Sequence, residues 1–206
     1  MDKKAMYKLS YGLFVLTARE GEKDNGCIIN TAIQAASEPE QLSICVNKLN
    51  HTHDMIQRTG AFTVSVLSQR AGFDLFKRFG FQSGRDVNKF EDFDGYARRA
   101  DGLCYITEGT NAYISVKVNR MEDLGSHTMF LGEITEMEVL SDAPSATYEY
   151  YLNHIKPKPQ AVGTAKDGRI IWRCTICGYE YIGEELPEDY ICPLCKHPAS
   201  DFEKVV

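Results

Sequence analysis

Four of the seven cysteines in this 206-residue chain fall within its last thirty-eight residues, as Cys174-Thr175-Ile176-Cys177 and Cys192-Pro193-Leu194-Cys195. A segment that short cannot bury enough apolar surface to hold itself folded, so another interaction must do so. Two Cys-x-x-Cys pairs supply four thiolates at a spacing that wraps a tetrahedral metal, because the two-residue gap lets both sulfurs of a pair reach one ion. Gly178, directly after the first pair, permits the positive-φ turn that aims backbone N–H groups at sulfur. Such hydrogen bonds stabilise thiolate charge and tune a redox potential. Spacing alone fits iron and zinc equally, and a zinc site of this kind would only staple the fold.

Ahead of this cluster runs Lys156-Pro157-Lys158-Pro159-Gln160-Ala161-Val162-Gly163-Thr164-Ala165-Lys166-Asp167-Gly168, rich in proline, glycine and small residues and without hydrophobic periodicity. It reads as a linker. The chain therefore divides into a domain of residues 1–155, a linker of 156–168 and a small domain of 169–206. Cys27, Cys45 and Cys104 are scattered singly through the first part and read as small packing residues, with Cys45 on the opposite strand face from Ile44 and Val46. An odd count without pairing is no disulfide framework. The formal net charge of −6 argues against nucleic-acid binding. No apolar run approaches the roughly 20 residues of a membrane span. The start, Met1-Asp2-Lys3-Lys4-Ala5-Met6, has no apolar stretch behind it, so a cytoplasmic location is expected.

The large segment is mostly strand. Tyr11 to Ala18 is almost wholly apolar, as a strand buried on both faces would be. Leu42-Ser43-Ile44-Cys45-Val46 and Phe62-Thr63-Val64-Ser65-Val66 alternate with period two, as do Ile114, Val116 and Val118. Met129 to Val139 is long enough for a bent strand. Thr52 to Arg58 predicts a short helix with Thr52 as N-cap and Gly60 after its end, and Phe73, Phe76 and Phe79 mark a second, stopped by Gly80. Many strands, few helices and no regular alternation give a mainly β fold with short helices, a closed antiparallel barrel. No GxGxxG or Walker-type loop occurs, which argues against Rossmann and P-loop domains.

A polar cluster flanks the Leu42–Val46 strand: Asn30-Thr31-Ala32-Ile33-Gln34 on one side and Asn47-Lys48-Leu49-Asn50-His51-Thr52 on the other. Small residues with amide and hydroxyl groups suit the polar edge of a flat heteroaromatic ring. Lys48, Asn50 and Thr52 at a helix start suit a phosphate, because free N–H groups and the helix dipole favour an anion there. A plain turn and N-cap account for the same residues without a ligand. His51 and His53 lack carboxylate support for a metal site.

Trp172-Arg173-Cys174-Thr175-Ile176-Cys177-Gly178-Tyr179-Glu180-Tyr181, followed by Cys192-Pro193-Leu194-Cys195 and Phe202, resembles rubredoxin. Only fourteen residues separate Cys177 from Cys192, shorter than in free rubredoxins and similar to the module appended to rubrerythrins. The resemblance implies one iron held by Cys174, Cys177, Cys192 and Cys195, cycling between ferric and ferrous states.

Tyr11 through Tyr151 resembles the flavin reductase-like family, FMN-binding split barrels that include flavoredoxins. The family's small polar run before a Ser-x-x-Pro-Pro-Leu turn appears as Asn30 to Gln34 and then Ser37-Glu38-Pro39-Glu40-Gln41-Leu42, with Glu40 in place of the second proline. The likeness implies that Asn30, Thr31, Ala32 and Gln34 line the isoalloxazine ring, and that Asn47, Lys48, Asn50, His51 and Thr52 hold the FMN phosphate. Phe81-Gln82-Ser83-Gly84-Arg85-Asp86-Val87-Asn88-Lys89-Phe90 looks like the family's Phe-x-Gly-Arg-x-x-x-Lys-Phe loop, which implies flavin contacts from Ser83, Gly84, Arg85 and Lys89; by itself it reads as a charged surface loop. The family's Gly-Asp-His near the nicotinamide is Gly125-Ser126-His127 here. His127 is thus the catalytic candidate, without the aspartate that would orient or acidify it.

Together the two likenesses resemble the high-molecular-weight rubredoxins of anaerobic bacteria. They imply an NAD(P)H-dependent electron carrier: hydride passes from nicotinamide to FMN, single electrons pass from FMN to iron, and the iron reduces an external acceptor such as a flavodiiron oxygen or nitric oxide reductase. They also imply a homodimer. The tail carries four basic and seven acidic side chains, suited to weak docking on a basic patch. Two other readings stand beside this one. In one, the FMN barrel carries a structural zinc ribbon used for protein binding; in the other, a plain flavin reductase releases reduced FMN.

Overall fold

The computed structural model describes residues 3–157, 170–175, 178–192 and 198–205. The chain forms two compact units, Met1–Ile155 and Lys156–Val206. Most of the 156–168 stretch read as a linker lies outside the described residues, as do Cys177 and Cys195.

In the first unit the strands are β1 (Phe14–Glu20), β2 (Lys23–Ile29), β3 (Ala32–Ser37), β4 (Glu40–Asn47), β5 (Ala61–Leu67), β6 (Tyr96–Arg98), β7 (Cys104–Ile106), β8 (Thr110–Asp123) and β9 (His127–Val139). Helix α1 (His51–Thr59) lies between β4 and β5, α2 (Phe73–Gly80) follows β5, and α3 (Tyr148–Tyr150) continues into a π-helical turn, Tyr151–Ile155. Seven strands form one sheet in the order β2-β1-β5-β8-β9-β4-β3, all antiparallel. β2 and β4 stand five places apart in that order, about 24 Å in a flat sheet at ~4.8 Å per step. Yet Cys27 and Ile29 of β2 share one apolar core with Leu42, Ile44 and Val46 of β4. The sheet is therefore curled on itself, as a barrel requires. Met55 and Ile56 of α1 are fully buried in the same core. A second core packs Leu13 and Val15 against Leu75, Phe76 and Phe79 of α2. Opposite faces of the β1 segment thus serve two cores, which is why that stretch of sequence is apolar without alternation.

Two boundaries differ from the sequence reading. β1 begins at Phe14 rather than Tyr11. The N-cap of α1 is Asn50, not Thr52, which lies inside the first turn and is wholly buried. The reason is local: Thr52 Oγ1 accepts a hydrogen bond from Asn25 Nδ2 at 2.9 Å, so the hydroxyl is committed to β2 rather than to a helix N–H. Gly60 does end α1, at φ 67° with its N–H on the Ile56 carbonyl at 2.8 Å.

β8 and β9 form a long ribbon with register shifts after Ser115 and Val118, the bending the sequence suggested for β9. Gly132 sits in its middle between Val118 and Leu42. A Cβ there would meet the Lys117 carbonyl oxygen and lie 2.6 Å from Val116 Cγ1. Gly132→Ala is accordingly expected to cost about 1–3 kcal/mol by overpacking, read as a lower urea midpoint at unchanged m-value.

The second unit places β10 (Ile171–Cys174) between β11 (Glu180–Ile182) and β12 (Phe202–Val205). Tyr190 packs against both Tyr181 and Phe202, with ring centroids at 4.7 and 5.5 Å. Arg173 of β10 is buried and donates through Nε and Nη2 to Glu180 Oε1 of β11.

Candidate functional site

β4 ends and α1 begins at the same edge of the barrel, and this junction collects most of the residues predicted to bind a cofactor. Asn50 caps α1 with extended backbone and makes no side-chain capping bond. The first helical N–H groups have no intrahelical acceptor, so an anion is favoured there. His51 Nδ1 is buried and unpartnered. Burial, together with the Lys23 and Arg85 charges, lowers the His51 pKa. Arg85 lies across this junction, donating through Nη1 to the Leu49 carbonyl at 2.7 Å and through Nη2 to Asp54 Oδ2 at 2.6 Å. Ser83 Oγ accepts the Arg85 N–H, and Gly84 presses on β2 so closely that a Cβ would strike the Asn25 carboxamide. Asn25 is itself buried and holds Thr52. Three segments, β2, α1 and the 83–85 loop, are thereby locked around one helix start.

Lys48 and Asn47 belong to the same junction but face the β8–β9 hairpin. Lys48 donates from its backbone N–H to the Ser126 carbonyl (3.1 Å) and from Nζ to Asp123 Oδ1 (2.6 Å). Asn47 pairs across the sheet with His127 and accepts the Leu49 N–H on Oδ1. His127 is half-buried, with Nδ1 at 2.9 Å from Ser126 Oγ. The serine at the position where the sequence lacks an aspartate therefore supplies the orienting hydrogen bond, without a charge.

The other predicted residues lie at the β2–β3 junction, Asn30 and Thr31, and on β3, Ala32 and Gln34. Thr31 Oγ1 donates to the Cys45 carbonyl (2.6 Å) and accepts the Cys45 N–H (3.3 Å), tying β3 to β4. Asn30 and Thr31 line a cleft of about 880 Å³ whose walls include Tyr11, Tyr148 and Leu152. Ala32 is half-buried and Gln34 exposed on this edge strand. Asn47 stands two residues beyond Cys45 on the same side of β4, so the cleft and the α1 start are joined by one strand. An aromatic-walled cleft beside an uncapped, cation-flanked helix start with an orphaned ring nitrogen fits a flat ring carrying a phosphate.

Lys89 is set apart. It is 3 % exposed, and its ammonium donates to the Gly26 carbonyl (2.8 Å) and the Phe79 carbonyl (3.0 Å) rather than facing the junction. Burial brings its pKa down to about 8. Its position ties the 81–90 loop to β2 and α2. Sequence reasoning passed over Asn25, Asp54, Asp123 and Thr128, and it left His53 without a role.

The three single cysteines are held as thiols. Burial raises the Cys27 and Cys45 thiols and pushes Cys104 up to about 12. In the second unit Cys174 and Cys192 are 1 % and 0 % exposed. Gly178 adopts φ 79°, and its N–H closes a turn on the Cys174 carbonyl at 2.9 Å. Two buried cysteines, with the left-handed glycine in place, fit a thiolate-bound metal.

Residues 6–158 match the flavin reductase like domain family. The chain belongs to that family. Residues 172–203 match the rubredoxin-like domain of rubrerythrin. A high molecular weight rubredoxin of Moorella thermoacetica is 35 % identical over the whole of both chains. A ferric-chelate reductase (NAD(P)H) of Archaeoglobus fulgidus is 40 % identical over 80 % of this chain and 96 % of its own. BorF, the flavin reductase component of a bacterial two-component tryptophan halogenase, superposes with a TM-score of 0.63 at 22 % identity over 71 % of this chain and 90 % of its own. The chain is an oxidoreductase: its first domain binds flavin and NAD(P)H, and its second is a rubredoxin-type iron domain. Among the described residues, no helix is long and apolar enough to cross a membrane.

The Lys89 geometry sets a pH dependence. Its folded pKa of about 8 lies below the unfolded 10.5, so between these values the unfolded chain holds a proton that the folded chain has shed. Stability then rises with pH across pH 8 to 10.5 and is flat in this respect below 8, by on the order of 3 kcal/mol in total. Denaturant titrations of Lys89→Met should lack this rise relative to the parent chain.

Proposed function

We propose that the chain passes electrons from NADH or NADPH to FMN in the first domain, from FMN to an Fe(Cys)4 centre in the second, and from that iron to a separate acceptor protein. The full-length match to a high molecular weight rubredoxin carries this reading, because it pairs both cofactor domains in one chain in the same order. Bound FMN supplies the conversion between the electron pair a nicotinamide delivers and the single electron an iron accepts.

The chain's own residues then divide the work. Asn30, Thr31, Ala32 and Gln34 face the ring, with Tyr11 and Tyr148 walling the cleft. Asn50, His51, Ser83, Gly84 and Arg85 form the phosphate end, where helix N–H groups and a guanidinium offset the dianion. The buried Thr52 serves it only by tying α1 to Asn25 of β2. Asn47 and Lys48 hold the hairpin that carries His127, which orients the nicotinamide. Lys89 serves the loop from beneath. Cys174, Cys177, Cys192 and Cys195 ligate iron. We take the acceptor to be a flavodiiron-type oxygen or nitric oxide reductase. The acidic balance of the second domain supports docking on a basic surface. We also place the protein in the cytoplasm, where thiols stay reduced, and as a homodimer, supported by the edge strand β3 with Ile33 exposed.

Anaerobic stopped flow tests the electron path. Adding NADH or NADPH should bleach the flavin first and the iron charge-transfer bands second. Cys192→Ser should abolish the iron bands and leave flavin bleaching within about twofold. A colourless, zinc-loaded second domain, or a flavin that neither nicotinamide bleaches, would overturn the reading. His127→Asn should lower kcat/KM for the nicotinamide about tenfold or more while leaving FMN affinity unchanged, measured by flavin fluorescence quenching.

A further inference from the structure

His53 is a buried histidine with both ring nitrogens engaged, and the functions assigned above leave it unused. It is 4 % exposed, and its ring meets the edge of Phe130 at 5.5 Å between centroids. Nε2 lies 2.8 Å from Thr128 Oγ1, on β9 immediately after His127. Nδ1 lies 3.0 Å from Asp54 Oδ1. The second carboxylate oxygen, Oδ2, accepts from Arg85 at 2.6 Å, and Arg85 in turn donates to the Leu49 carbonyl. Burial alone would raise the Asp54 carboxyl, but the His53 hydrogen bond and the Arg85 charge outweigh it and hold Asp54 below the usual carboxylate range. Asp54 is therefore an acceptor at both oxygens, and Nδ1 of His53 carries the proton between them.

An unbroken chain thus runs Thr128–His53–Asp54–Arg85–Leu49, from the core of β9 to the mouth of α1. An exposed arginine on a loop samples many rotamers, and fixing it costs side-chain entropy each time an anion binds. Here the carboxylate that aims Arg85 is itself fixed by a ring wedged in the core. Two of the five guanidinium N–H groups hold Leu49 and Asp54, which leaves donors for an incoming phosphate.

We propose that His53 is a positioning residue for flavin. Through Asp54 it preorganises Arg85 over the α1 start, so that FMN affinity depends on a side chain that touches no part of the flavin. This rests on the flavin-phosphate reading of the junction. It also implies that β9 and the phosphate end are set by one polar chain, so loosening Thr128 should be felt at Arg85.

A double-mutant cycle on the full-length chain tests the proposal, with FMN dissociation constants from fluorescence quenching and kcat at saturating FMN. Arg85→Met and His53→Gln should each weaken FMN binding about tenfold, and the double variant should be no weaker than Arg85→Met alone. For His53→Gln alone, kcat at saturating FMN should stay within about twofold. Thr128→Val should weaken binding, and Thr128→Ser, which keeps the hydroxyl, should restore it. Asp54→Asn, at a partly exposed position, gives the same readout should His53→Gln not fold. Additive losses in the cycle, or unchanged FMN affinity in both His53→Gln and Asp54→Asn, would overturn it. Failure of the underlying flavin reading would show separately, as a parent chain that binds no FMN or an Arg85→Met variant that binds it normally.

Discussion

Curling one antiparallel sheet brings β2 and β4 around one apolar core into which α1 packs, and this packing decides where polar side chains can go. Met55 and Ile56 fix the rotation of α1 by burying one side of it. With that side committed, the N-terminus of the helix must emerge beside the end of β4, next to the hairpin that joins β8 to β9. The anion-favouring end of the dipole and the Arg85 guanidinium meet at this junction, with Lys48 and His127 on the adjoining hairpin side. Gly84 and Asn25 then close the third side, since a loop carrying any larger residue could not approach β2.

The second domain obeys the opposite logic. Its small sheet and aromatic cluster bury too little to close a core in the way the barrel does, so a rubredoxin-type iron domain of this size leans on its metal for structure. Folding and metal binding are then one process, and the unit's stability is tied to whatever keeps its thiolates reduced and loaded.

How far the sequence announced this differs by interaction type. Alternating Leu42, Ile44 and Val46 marked the core face of β4 because period-two burial leaves a direct mark on residue type, whereas Thr63 and Ser65 of β5 are as buried as Phe62 and Val64 beside them. Gly178 was legible because a left-handed turn demands a particular residue. Asn25 was not, because Asp24-Asn25-Gly26 has the composition of a turn while lying inside β2, where a buried carboxamide is needed by Thr52. Lys89 was misleading in its surroundings. A lysine in a charged loop looks exposed, and only the fold reveals that two backbone carbonyls draw it inward. His53 was weighed only as a metal ligand and set aside for want of a carboxylate, whereas the fold gives it the Asp54 carboxylate and partners on β9 that are distant in sequence.

The three barrel cysteines carry a consequence of their own. Peroxide and disulfide reagents attack thiolate rather than thiol. Burial keeps Cys27, Cys45 and Cys104 protonated well above neutrality. The three cysteines of the barrel are thereby held in the form that stray oxidants capture slowly. The exposed thioethers of Met6, Met121 and Met137 are left as sulfurs of that domain open to oxidation.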